Sequence, residues 1–220
     1  MKKKLILLAM VFLLSGCASK TWQAQPEFNP ANVKRIGVVV PTATVKMIDA
    51  GNNVSVDQDL SVSARDAIEK GSVDALREGG FEVFLLTNKD DAVTFQKGYR
   101  LLAGELANHF PKNGVPTRPS KIEGFDQIRK NSKLDCVVAI EGVDHKSTPG
   151  RKAKMVGLAL LGVSGGHGLT VLSYNLFCGE EGKPMYSEMF TESNDLTDSS
   201  NISNIVGKLV EHMKAITPTM

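Results

Sequence analysis

The spacing of apolar residues changes along the chain from a period of two to a helical period and back, and each change marks an element. Arg35-Ile36-Gly37-Val38-Val39-Val40-Pro41 is a β-branched run closed by a proline, the pattern of a buried strand. Between 42 and 58 a weaker strand pattern at Thr44, Val45, Met47, Ile48, Val54 and Val56 surrounds Ala50-Gly51-Asn52-Asn53. It reads either as a hairpin or as a mobile loop. From Ser61 the period becomes helical through Ala64, Ala67, Ile68, Gly71, Ala75 and Leu76, with Ser61 or Ser63 as N-cap and Gly79-Gly80 as stop. Phe81 to Leu86 follows as a second strand, so that strand, helix and strand form a right-handed crossover. A second helix starts at Asp90 or Asp91 and carries Phe95, Tyr99, Leu102, Leu106 and Phe110 on one stripe, which suits packing on a sheet.

Residues 111–119 hold three prolines and a glycine and predict a loop. Ile122, Phe125 and Ile128 suggest a short helix before Leu134-Asp135-Cys136-Val137-Val138-Ala139-Ile140-Glu141-Gly142, whose continuous apolarity predicts a strand buried on both faces. Leu169 to Cys178 alternates, with Leu172, Tyr174, Leu176 and Cys178 on one face and Ser173 and Asn175 facing water or a polar surface. A turn at Gly179 to Pro184 returns Met185 to Phe190 as the last strand of a hairpin. Ile202, Ile205, Val206, Leu209, Met213 and Ile216 make a terminal helix, capped near Ser199 or Ser200 and stopped by Pro218. The order predicts an α/β (α+β) fold: a mixed sheet of five to six strands with helices packed on it, ending in an antiparallel hairpin and a helix.

Ahead of these elements, Lys2, Lys3 and Lys4 precede an unbroken apolar run of ten residues, Leu5 to Leu14. That is too short to span a bilayer, which takes about 20, and it has the make-up of a secretory signal. Leu14-Ser15-Gly16-Cys17 resembles the lipobox of bacterial lipoproteins. The resemblance implies cleavage before Cys17 and acylation of its thiol and new amino terminus. Because Ala18 and Ser19 follow without an Asp, it further implies a lipid-anchored protein of the bacterial outer membrane facing the periplasm. The domain expectation is a signal peptide at 1–16, a lipidated Cys and tether at 17–33, and a single periplasmic domain at 34–220. Gln23, Gln25, Pro26, Asn29 and Pro30 make the tether polar and extended, and Trp22 suits the headgroup boundary.

The signal holds three of the 26 basic residues and none of the 24 acidic ones, which leaves a nearly neutral mature chain and argues against nucleic acid as a partner. Cys136 and Cys178 lack CxxC spacing, so neither a zinc site nor a thioredoxin-type motif is indicated. They share the face parity of their apolar neighbours, so they either pair across antiparallel strands as a disulfide or stay as buried free thiols.

Three stretches carry a second resemblance: Arg35-Ile36-Gly37-Val38-Val39-Val40, the strand around Leu134-Asp135-Cys136, and Tyr174-Asn175-Leu176-Phe177 before Gly182-Lys183-Pro184-Met185-Tyr186-Ser187. Together they look like the domain shared by the curli-secretion lipoprotein and the lipoprotein activators of penicillin-binding proteins. That implies a non-catalytic envelope-assembly or binding module with a protein partner in the envelope, compatible with a homo-oligomer. Residues 152–168 depart from that pattern.

His109, His145, His167 and His212 form no HxxxH or HxxH pair, and Asp144 beside His145 is too little for a metal site, so no metal and no cofactor is expected. Gly162-Val163-Ser164-Gly165-Gly166 matches the G-x-S-x-G elbow of serine hydrolases, and Asp195 or Asp198 with His212 supplies the order of a triad. An esterase with Ser164 as nucleophile is therefore the alternative, although a strand pattern stands where the elbow requires a helix. Finally, Arg151, Lys152 and Lys154 precede the apolar run Met155 to Val163. As a strand this run would reach about 30 Å, near the thickness of a bilayer core. It is either an inner strand or a flexible Gly-rich connection beside the sheet, or else an interaction loop in which Val156, Leu158, Leu160 and Leu161 touch a subunit, a partner or a membrane.

Overall fold

The computed structural model describes residues 22–109, 121–160, 169–192 and 195–216. Its spine is β6, Cys136–Ser147, whose first five residues are all buried, as a continuous apolar run requires. On one side β6 pairs antiparallel with β7, Thr170–Cys178, and β7 pairs antiparallel with β8, Lys183–Glu192. The outer edge of β8 receives β1, Trp22–Ala24. On its other side β6 carries two strands end to end. Its start pairs parallel with β2, Arg35–Val38, and its second half pairs parallel with β3, Thr42–Ile48. Pro41 has no N–H to give to a ladder and sits at the break between them. Outside β2 lies β5, Glu82–Leu85, in parallel, and outside β3 lies β4, Val54–Asp57, antiparallel. Among the described residues the mixed sheet has eight strands.

Helices cover both faces. Under one lie α1, Gln58–Glu78, and α5, Ser199–Lys214, whose apolar stripes close over Ile36, Val138, Ile140, Leu172 and Tyr174. The two helices touch at Gly71, where a Cβ would stand 2.5 Å from the Ser199 carbonyl oxygen. Over the other face lie α2, Lys89–His109, and α3, Phe125–Ser132. There Phe95, Tyr99, Phe125 and Ile128 pack on Val137 and Phe177, the Phe95 and Tyr99 rings meeting Phe177 edge-on. The sheet is positioned by one carboxylate: Asp135 Oδ2 accepts the backbone N–H groups of Lys34 and Arg35, both at 2.8 Å, and so locks the start of β2 to the start of β6.

The α/β class, the order of elements and the final hairpin and helix agree with the sequence pattern, and residues 42–57 are a hairpin. Several expectations need correction. Two to three more strands exist than the five to six expected. One comes from the stretch read as tether, where Trp22–Ala24 pairs with β8 and Phe28 is buried beside Tyr186, ring centroids 5.9 Å apart. The N-cap of α1 is Asp57, which accepts from the Leu60 N–H. Ser61 instead bridges inward, donating to the Asp57 carbonyl and accepting the Val45 N–H. The cap of α5 is Asp198 rather than Ser199 or Ser200. The second face of β7 does not simply meet water, because Asn175 and Phe177 are buried under α2. Lastly, the backbone of Pro149–Leu160 is a helix, α4, and neither a strand nor a loop. Proline at the first helical position, followed by Lys, Ala, Met and Leu, accounts for it.

Candidate functional site

The residues singled out by sequence fall in separate places. Cys17, Ser164, His167 and Leu161 lie outside the described residues. Val156, Leu158 and Leu160 lie on α4, whose start is fastened to the β3–β4 turn: Arg151 Nη1 donates to Asn52 Oδ1 at 2.7 Å and Lys154 Nζ to the Ala50 carbonyl at 2.9 Å. Among the described residues no helix is long and apolar enough to cross a membrane, and no group of three His, Cys, Asp or Glu residues converges as metal ligands.

Asp195 and His212 are not brought together as the hydrolase alternative requires. They sit before the start and near the end of α5, and Ser199 to His212 alone spans about 20 Å at 1.5 Å per residue. Each has its own partner. Asp195 accepts from Lys146 Nζ at 2.6 Å and from the Thr197 hydroxyl at 2.6 Å. Burial pushes its pKa up, but the Lys146 and Thr197 bonds outweigh that and hold it below the usual carboxylate range. Lys146 also lies 3.8 Å from Oδ2 of the buried Asp144, whose Oδ1 accepts from the Thr170 hydroxyl across the β6–β7 ladder. The ammonium thus ties the end of β6 to the segment before α5.

His212 Nδ1 lies 2.7 Å from Glu188 Oε1, and the Tyr186 hydroxyl donates to Glu188 Oε2 at 2.5 Å. Glu188 is 1% exposed, so an acid stands in the apolar layer between β8 and α5 with both oxygens engaged. Burial and then Glu188 itself raise the Tyr186 hydroxyl well above the ordinary tyrosine range. Sequence reasoning missed this group, yet the signal was present. Glu188 alternates in phase with Tyr186 and Phe190, and an acid at an inward position requires a buried partner.

A third polar group lies on the opposite face. Asn175 Nδ2 donates to the Tyr99 hydroxyl at 3.1 Å and to Ser173 Oγ at 3.2 Å. Burial, followed by the nearby Glu141 carboxylate, raises the Tyr99 hydroxyl strongly. A cleft of about 380 Å³ opens beside the start of β2 and the end of α5, lined among others by Val33, Lys34, Gly79, Phe81, Lys214 and Ile216. Cys136 and Cys178 stand directly opposite one another in the β6–β7 ladder, Cα atoms 4.3 Å apart, and are joined as a disulfide, S–S 2.09 Å. Chemically, these three polar groups hold elements together: β8 to α5, β6 to the segment before α5, and β7 to α2.

No family model matches the chain, and no curated protein matches it. Solved structures similar to it include a PelC dodecamer from Paraburkholderia phytofirmans, 11% identical over 89% of this chain and 96% of that one, TM-score 0.41. Lipoprotein GNA1162 from Neisseria meningitidis is 15% identical over 83% of this chain and 99% of that one, TM-score 0.34. The LpoB C-terminal domain from Salmonella enterica is 12% identical over 86% of this chain and 94% of that one, TM-score 0.30.

Proposed function

We propose that this chain is a lipid-anchored lipoprotein of the bacterial outer membrane, facing the periplasm, and that it works by binding a protein of the envelope rather than by catalysis. The observation that carries the reading is Leu14-Ser15-Gly16-Cys17 behind a basic start and an apolar run. Cleavage before Cys17 leaves a thiol to acylate, and only a few residues separate that Cys from β1. The Cys136–Cys178 cross-link adds support, since such bonds persist in oxidising compartments. The non-catalytic part rests on the use of the polar groups. Asp195, His212 and Glu188 are each engaged in joining one element to another.

Labelling of growing cells with radioactive palmitate, followed by separation of inner and outer membranes, tests the anchor. The expected result is labelled protein in the outer-membrane fraction and an unlabelled, soluble Cys17→Ala form. A Cys17→Ala chain that still fractionates with membranes refutes it. Covalent capture from crosslinked envelopes tests the binding role. A protein partner recovered with the native chain and lost on disordering its surface is expected.

A further inference from the structure

We propose that β4 is a docking edge for a second copy of this chain, which adds its own β4 in antiparallel pairing about a two-fold axis at Ser55. The sheet treats its edges differently. At β5 the outward carbonyls are already used: Val83 accepts from Arg77 at 3.5 Å and Leu85 from the Thr87 N–H at 3.0 Å, while Arg35 lies 4.7 Å over the Phe84 ring. On the other side β1 covers Tyr186 to Glu188 of β8 and, at three residues, is too short an edge to template a long pairing. Among the described residues β4 pairs with β3 alone, and its two valines are open, Val54 at 57% and Val56 at 48% exposure. Natural edges of this kind are usually guarded by a lysine, a proline or a bulge, and Val54-Ser55-Val56 has none.

The hydrogen-bonding phase of the hairpin decides which groups face outward. The Asp49 N–H donates to the Asn53 carbonyl at 3.1 Å, so alternation makes Met47–Ser55 the next bonded pair of the β3–β4 ladder, and beyond it the Ser61 hydroxyl stands between the Val45 N–H and the Asp57 carbonyl. The N–H and C=O groups of Val54 and Val56 then point away from β3. The edge is also held in shape before any partner arrives. Asp49 Oδ1 accepts the Gly51 and Asn53 N–H groups, Arg151 and Lys154 fasten the turn to α4, and Asp57 caps α1. Ordering costs on pairing are correspondingly small.

The sequence of the edge selects a second copy. In Asn53-Val54-Ser55-Val56-Asp57 a two-fold axis at Ser55 sets Val54 opposite Val56 of the second copy. Both then exchange N–H···O bonds, and the valine side chains of the two copies share one face. Asn53 comes opposite Asp57 of the second copy, so no charge meets its like. Such a self-complementary patch closes as a dimer and leaves no open end. The pairing does not rest on the lipid anchor, although tethering both copies to one membrane would raise their effective concentration.

The test uses the mature chain carrying Cys17→Ala, so that an added Ser55→Cys is the sole thiol outside the Cys136–Cys178 pair. Ser55 would face its counterpart as a non-bonded pair, the arrangement in which Cys136 and Cys178 already stand. Mild oxidation should convert the Ser55→Cys chain to a covalent dimer. A Val62→Cys control, equally open at 47% but on α1, should stay monomeric. By sedimentation velocity the parent should show a concentration-dependent dimer that is lost with Val54→Lys/Val56→Lys. If the lysine variant does not fold, the cysteine pair decides alone. A parent that sediments as a monomer throughout, a dimer that survives both lysines, or equal cross-linking from Val62→Cys overturns the proposal. Palmitate labelling reads the anchor separately, so one can fail without the other.

Discussion

Replacing both Cys136 and Cys178 by alanine should lower stability by about 4 kcal/mol, nearly all of it through the unfolded chain. The two residues are 42 apart in sequence, and closing a loop of that length removes about 13 cal/mol/K of entropy from the unfolded ensemble, or about 4 kcal/mol at 25 °C. The folded side changes little, because the two Cα atoms are held opposite each other by a ladder that continues to Asp144–Thr170. For a chain of this size the urea dependence is about 2 kcal/mol per molar, so the midpoint should fall by about 2 M. Urea titrations followed by circular dichroism, on the oxidised, reduced and double-alanine forms, supply the measurement. Cys136 is 1% exposed, so reduction has to be carried out on the unfolded chain before refolding. Reduced and double-alanine midpoints should agree closely. The reasoning fails if removal moves the midpoint by less than about 0.5 M. It fails equally if alkylation of the unfolded chain adds the same mass with and without prior reduction.

Ser72 and Tyr174 meet across the core at 2.9 Å, and both are essentially fully buried. Ser72→Ala should cost about 1–3 kcal/mol by leaving the tyrosine hydroxyl without its bond, whereas Tyr174→Phe should cost less, since a helical serine can turn to its own backbone. The double variant should fall well short of the sum in a chemical-denaturation cycle, and strict additivity would contradict the bond. Asp195 gives a pH signature. Its folded pKa is lowered, so its contribution is present above the ordinary carboxylate range near pH 4 and is lost as the pH falls through the lowered value. Unfolding free energies of the parent and Asp195→Asn from urea titrations should therefore differ at neutral pH, by less than about 1 kcal/mol for so exposed a pair, and converge in acid. A constant difference down to low pH would exclude this linkage.

Much of the fold could be read from the chain because its core elements carry strong periodicity. The runs at Ile36 and Val137 and the stripes of α1, α2 and α5 are dictated by which faces must be buried. Parity put Cys136 and Cys178 on the side of their apolar neighbours and left disulfide and free thiols open, and the β6–β7 register then sets them opposite one another. What escaped were features owed to tertiary partners. Trp22-Gln23-Ala24 has no alternation of its own and is a strand only because β8 offers an edge. Phe28 is a single apolar residue in a polar stretch, so its burial depends on Tyr186 and the 3-10 turn after it. α4 escaped for a different reason. A short apolar run has no period to separate strand from helix, and Pro149 was the discriminating residue. The site was harder still. Lys146, Asp195 and Asp144 meet only because the chain folds back from 195 to 144, a closeness no local spacing records.

The packing of β1 and Phe28 has a mechanical consequence. Tension entering through the amino-terminal end reaches Trp22–Ala24 first, a ladder of three residue pairs at the rim of the sheet, and then Phe28. Three residue pairs at the rim are fewer than the nine of the β6–β7 ladder, so they should part first. Their release would free the residues up to Val33 and leave the remaining sheet and its cross-link intact.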